Sequence, residues 1–202
     1  MSLPRPRTAT SLTPAATPWS RRVLPVLAMI ALMWLVEIVD AVTPFSLDMF
    51  GIRPRDVDHL AGIALSPFLH GGFGHLIANT TALIVLGPLM AIATRHLWSV
   101  TAGVILIGGL AVWLTGAPHS VHIGASGLVY GYAAFLAVYG FVARHLKTAL
   151  VGLLVIALYG SMLWGVLPLN AGVSWQGHLF GGLAGAWLAW LLCRRDRRPH
   201  TL

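Results

Sequence analysis

Gly124-Ala125-Ser126-Gly127-Leu128-Val129-Tyr130 is the stretch on which the reading of this chain turns. A lone serine stands between glycines at the mouth of an apolar segment that runs to Ala143, with no charge beside it. If a helix begins there, its first backbone N–H groups lack intrahelical acceptors and form the positive end of the helix dipole. Such a place suits a hydroxyl that attacks a carbonyl and an oxyanion that must then be held. A serine hydroxyl is a poor nucleophile until a base takes its proton. His178, in Gly177-His178-Leu179-Phe180-Gly181, is the candidate base.

The solvent around these residues follows from composition. Of 202 residues, 57% are hydrophobic and 9% charged, and the mean hydropathy is +0.79. Soluble domains carry roughly 25% charged residues, so this surface cannot be kept wet and the chain reads as a membrane protein. The formal charge of +7 would suggest a nucleic-acid partner in a soluble protein. Here the basic residues cluster at the ends of apolar runs, which is orientation signalling and not a nucleic-acid footprint. Cys193 is the single cysteine, so no disulfide framework exists.

Working outward, apolar runs cover 23–42, 73–94, 97–115, 126–143, 148–167 and 175–193. The first holds about 20 residues, enough to cross a hydrocarbon core of about 30 Å. The expected fold is an all-α membrane protein with six transmembrane helices. Residues 1–20 hold four prolines and no acid and read as a disordered cytoplasmic tail. The Arg and Ser content there leaves a transit peptide open as a reading. Residues 21–194 form one membrane domain, and 195–202 a basic cytoplasmic tail. The connection 43–69 is the longest, and its middle, from Val57, reads as interfacial. Glu37 and Asp40 read as carboxylates placed where the first helix leaves the bilayer. Six crossings put both termini on one side. That side then holds Arg5, Arg7, Arg21, Arg22, Arg95, Arg144, Lys147, Arg194, Arg195, Arg197 and Arg198, against Arg53 and Arg55 opposite. By the positive-inside rule both termini are cytoplasmic.

Height above those basic residues, at 1.5 Å per helical residue, puts Ser126, His178, Asn79 and His75 in one layer roughly 24–30 Å up. Each has a bland reading by itself: a small residue for helix packing, a hydrogen-bonded core histidine, interhelical glue. Packing does not require them to share a depth. Polar groups in lipid are costly, so they should face one another or a water-filled pocket.

His70-Gly71-Gly72-Phe73-Gly74-His75-Leu76-Ile77-Ala78-Asn79, then Gly124-Ala125-Ser126-Gly127, then Gly177-His178-Leu179-Phe180-Gly181-Gly182-Leu183-Ala184-Gly185 resemble the rhomboid intramembrane serine proteases, in order, over about residues 60–193. The resemblance implies a bundle that hydrolyses a peptide bond in or near a transmembrane helix of single-span or multi-span membrane-protein substrates. It implies a Ser126–His178 dyad without a third carboxylate. It implies His75, Asn79, the Ser126 N–H and Gly124 at the oxyanion hole, and Tyr130 stacked on the histidine. No cofactor is suggested by the sequence, no metal site is expected, and the location expected is the bacterial plasma membrane. The chain departs from the family in two places. Gly51-Ile52-Arg53-Pro54-Arg55 lacks the tryptophan of the Trp-Arg pair common in the first external loop, and Thr80 stands where methionine is common.

Gly181 and Gly185 form a small-xxx-small face below His178, and Gly127 and Gly131 another below Ser126, which would let two backbones approach closely. Two rival readings differ in class. Nine histidines, among them His70, His75, His119, His122 and His178, invite an ion or metal carrier. A relative that binds transmembrane helices without cutting them is the other, and the presence of both Ser126 and His178 argues against it.

Overall fold

The computed structural model describes residues 19–170 and 172–196. Of the tails expected at 1–20 and 195–202, residues 1–18 and 197–202 lie outside them, while Trp19 and Ser20 begin the first helix and Arg195 and Asp196 end the last. Long helices form where the apolar runs are: α1 (Trp19–Val42), α3 (Phe73–Ala93), α4 (Leu97–Gly103) continuing through a π-turn into α5 (Gly109–Thr115), α6 (Ser126–Val142), α7 (Leu146–Tyr159) and α8 (Trp175–Asp196). A four-residue helix, α2 (Gly62–Leu65), and three 3₁₀ turns fold the connection between α1 and α3. The described residues contain no strand, only an isolated antiparallel bridge between Ile52 and His122.

Four segments, Arg22–Val42, Phe73–Ala93, Leu97–Thr115 and Leu146–Val166, are long and apolar enough to cross a membrane by length and composition. The α6 helix is apolar but has only 17 residues. The α8 helix has 22, and its polar first turn and charged end dilute its hydropathy. The lipid-facing character shows in side chains left uncovered: Leu24, Leu35, Ile92 and Leu163 are all more than half exposed. A soluble protein would not present so large an apolar surface on every side.

Helices α6 and α8 are the centre, and glycine sets their distance. An ideal Cβ at Gly181 would stand 2.1 Å from the Gly127 carbonyl oxygen, and one at Gly185 2.0 Å from that of Gly131. The two backbones are therefore in direct contact along the faces expected from the sequence. The α4–α5 rod lies across this pair, with Gly108 against Gly181 and Val104 against Gly131. On the other flank α7 meets α6 where Gly140 faces Gly152. The α1 helix packs on α3, where Val26 fills the space above Gly87 and the Trp34 indole donates to Thr80 Oγ1 at 3.1 Å. Buried Tyr132 pairs its hydroxyl with Thr101 at 2.6 Å, as a polar group must in an apolar core.

Three details go beyond the sequence reading. Glu37 is covered by protein near the end of α1, only 4% exposed. Asp40 accepts the Leu47 N–H. The first connection, lacking its tryptophan, is braced from the far side. Arg55 donates to the carbonyls of Leu114 and Gly116 at 3.0 and 2.9 Å, and the Trp113 indole donates to Asp56 O at 3.0 Å. The guanidinium thus satisfies the orphan carbonyls at the end of α5. Finally, the run 148–167 is not one α-helix. It tightens to 3₁₀ geometry over Gly160–Val166, which redirects its last carbonyls toward the site described next.

Candidate active site

Ser126 is the first residue of α6. The N–H groups of Leu128 and Val129 both turn back to the Ala125 carbonyl. Those of Ser126 and Gly127 have no acceptor within the helix. The turn that delivers the serine needs glycine: Gly124 has φ +103, and its N–H is held by the Ser66 carbonyl at 2.9 Å. A Cβ there would fall 2.6 Å from His75 Nε2 and 3.5 Å from Asn79 Nδ2. Gly124 thus lets two side chains of α3, one turn apart, reach the backbone just ahead of Ser126.

His178 sits in the first turn of α8, buried, with its Nε2 2.9 Å from Ser126 Oγ. Its other nitrogen, Nδ1, is 2.8 Å from the Gly165 carbonyl oxygen. A carbonyl can only accept, so Nδ1 carries the proton, and Nε2 is a bare lone pair aimed at the hydroxyl. Tyr130 lies flat on the imidazole, with centroids 4.2 Å apart and planes 7° from parallel. The Tyr130 hydroxyl donates to the Met162 carbonyl at 2.7 Å. The 3₁₀ segment therefore holds both the ring and its stacking partner.

On the opposite wall Asn79 is 5% exposed, and its Nδ2 has no hydrogen-bond partner among the described residues. An unspent buried donor is uncommon in a folded protein and asks for an explanation. His75 meets His70 edge-on at 5.1 Å. Just before the α3 span, His70 is 1% exposed, and burial, followed by the neighbouring His75, holds its pKa down to about 4. Its Nε2 stands as an acceptor 3.5 Å from the Ala125 N–H.

These groups open onto a cavity of about 1050 Å³ lined by His75, Asn79, Ser126, Tyr130 and His178. A smaller pocket of about 50 Å³ lies behind Ser126, between the α6–α8 contact and the α4–α5 rod. The structure places Ser126, His178, His75, Asn79 and Tyr130 around the cavity, Gly124 against His75 and Asn79, and the four glycines along the α6–α8 contact. Of the histidines, His119 lies in the loop after α5 at φ +64 and is apart from this group. No three His, Cys, Asp or Glu side chains stand close enough to hold a metal among the described residues. The carbonyls of Gly165 and Met162 were not legible in the sequence, since any residue has a carbonyl. Gly165 itself left one signal, a glycine inside an apolar run.

Residues 57–195 match the family model described as Rhomboid domain. The chain is 42% identical to "Uncharacterized protein Rv1337" of Mycobacterium tuberculosis, over 98% of this chain and 86% of that one. It is 44% identical to "Uncharacterized protein ML1171" of Mycobacterium leprae, over 88% and 74%. To "Putative rhomboid protease YdcA" of Bacillus subtilis it is 28% identical, over 64% and 66%. With its apolar helices and this match, the chain is an integral membrane protein of the rhomboid family.

Proposed function

We propose that the protein is an intramembrane serine endopeptidase that cuts peptide bonds in or near transmembrane helices with a Ser126–His178 dyad. The observation that carries this is the 2.9 Å approach of His178 Nε2 to Ser126 Oγ, with the tautomer fixed from behind by Gly165. Ser126 Oγ attacks the scissile carbonyl as Nε2 takes its proton. The same nitrogen then protonates the leaving amine, and water hydrolyses the acyl-enzyme. The negative oxygen of each tetrahedral intermediate is held by the Ser126 N–H, Asn79 Nδ2 and His75. Asn79, without a partner among the described residues at rest, finds its acceptor only then, which is how a donor favours the transition state over the ground state. Gly165 replaces the carboxylate of a triad: it orients the imidazole without supplying charge.

A helical substrate hides its carbonyls in its own hydrogen bonds, so the segment to be cut unwinds into the cavity. Six crossings follow if α6 and α8, sheathed by the other helices, also span the bilayer. The basic residues then place both termini in the cytoplasm and the dyad toward the outer leaflet. The bacterial organisms of the relatives support the plasma membrane as its location.

The test uses purified full-length protein with a single-span reporter and a fluorophosphonate probe. Wild type should cleave the reporter and be labelled at Ser126, and Ser126→Ala should do neither. Cleavage by Ser126→Ala at the wild-type rate overturns the proposal. Wild type that neither cleaves nor labels would point to a helix-binding relative instead.

A further inference from the structure

His122 lies in the loop between α5 and α6, four residues ahead of Ser126, and has no place in the chemistry above. It is 8% exposed, and its hydrogen bonds determine where each proton sits. Ser120 Oγ donates to the Ala117 carbonyl at 2.7 Å, so it accepts from His122 Nε2, 2.9 Å away. Nε2 therefore carries the ring proton, and Nδ1 is an acceptor. The Ser174 hydroxyl donates to that Nδ1 at 2.6 Å. The Ser174 oxygen is thereby turned to accept the Gly177 N–H at 3.2 Å, as an N-cap does. Its carbonyl accepts the N–H of His178 at 3.1 Å. On its backbone, His122 exchanges two 2.9 Å bonds with Ile52. Burial pushes the His122 pKa below the ordinary histidine value, in keeping with a ring that stays neutral.

We infer that His122 is a positioning residue of the dyad, tying the loop that delivers Ser126 to the cap of the helix that delivers His178. The inference rests on the Ser–His reading. The glycine contacts hold α6 against α8 from Gly127 and Gly181 downward. The dyad lies at the upper margin of that contact, in the first turn of each helix. First turns lack part of their hydrogen bonding and open at low cost. Among the described residues, the His122–Ser174 bond is the one side-chain hydrogen bond joining the two loops that precede them. It closes the dyad from above as the glycines close it from below.

The experiment compares full-length wild type with His122→Ala, His122→Asn, His122→Gln, Ser174→Ala and the double alanine variant. It reads the labelling rate of Ser126 by a fluorophosphonate, kcat and KM on a single-span reporter, and the thermal midpoint. Misplacing reacting groups by about 1 Å can cost about 100-fold. His122→Ala should accordingly lower kcat about 10- to 100-fold, leave KM within about twofold and slow labelling in proportion. An asparagine oxygen can stand where Nδ1 stands, whereas glutamine reaches toward the Nε2 position. His122→Asn should therefore recover most of the rate and His122→Gln less. The double variant should be no slower than the slower single, because one connection is lost in each. Wild-type labelling in His122→Ala overturns the inference alone. If that variant does not fold, asparagine and glutamine variants of equal rate overturn it. Failure of wild type to label at Ser126 would instead overturn the dyad reading.

Discussion

Gly165→Ala is the substitution whose consequence is best measured from the geometry. An ideal Cβ at Gly165 would stand 1.9 Å from the Tyr130 hydroxyl oxygen, 3.1 Å from its Cζ and 3.2 Å from His178 Nδ1. Ordinary contact begins near 3.4 Å, so the hydroxyl must retreat by about 1.5 Å or the 3₁₀ segment must lift by as much. Either movement breaks one of two bonds, Tyr130 to Met162 O at 2.7 Å or His178 to Gly165 O at 2.8 Å. Losing the second frees the tautomer and tilts the imaginary line from Nε2 to Ser126. A shift of that size should lower kcat about 100-fold. Removing the hydroxyl removes the worst collision. Tyr130→Phe with Gly165→Ala should thus recover a large part of the rate, although Tyr130→Phe alone gives up a hydrogen bond of about 1 kcal/mol. Gly160→Ala is the control, in the same segment with nothing within 4 Å of its Cβ. The assay is kcat on a transmembrane reporter, with circular dichroism to confirm folding. A Gly165→Ala protein as fast as wild type, or a double variant no faster than the single, would refute this account of how the histidine is held.

Three further outcomes are expected. Gly185→Ala puts a methyl 2.0 Å from the Gly131 carbonyl oxygen. Backbone cannot step aside, so it should destabilise by at least the 1–3 kcal/mol typical of overpacking. Gly182→Ala, which meets nothing within 4 Å, should leave the thermal midpoint unchanged. Asn79→Ala should lower kcat by about 10²–10³ with little change in midpoint. Among the described residues its Nδ2 makes no bond that folding would lose. His70 titrates near 4 when folded against 6.5 unfolded. Between those values the unfolded chain binds a proton the folded one does not, so stability rises with pH. This contribution is complete above 6.5 and is lost as pH falls toward 4, by about 3 kcal/mol in all. His70→Gln should flatten the midpoint–pH curve over that window relative to wild type, and an unchanged curve would contradict it.

Much of this protein could be read along the chain. Twenty-residue apolar runs bounded by arginine specify helices that lipid will accept, because a membrane demands internally bonded backbone and little else. Ser126, His178, His75 and Asn79 share a depth because rise per residue is constant, so counting back from the basic ends places them in one layer. The paired glycines announced a close helix contact for the same local reason. Lateral position is another matter. Which face of α3 turns to Gly124, and how Trp113 and Arg55 hold the first connection, depend on residues some 45 to 60 positions apart. The tautomer of His178 depends on a carbonyl, and carbonyls leave no mark in a sequence. Identity and height are carried by each segment alone, whereas hydrogen-bond partners are chosen only when the helices pack and every buried polar group must find one.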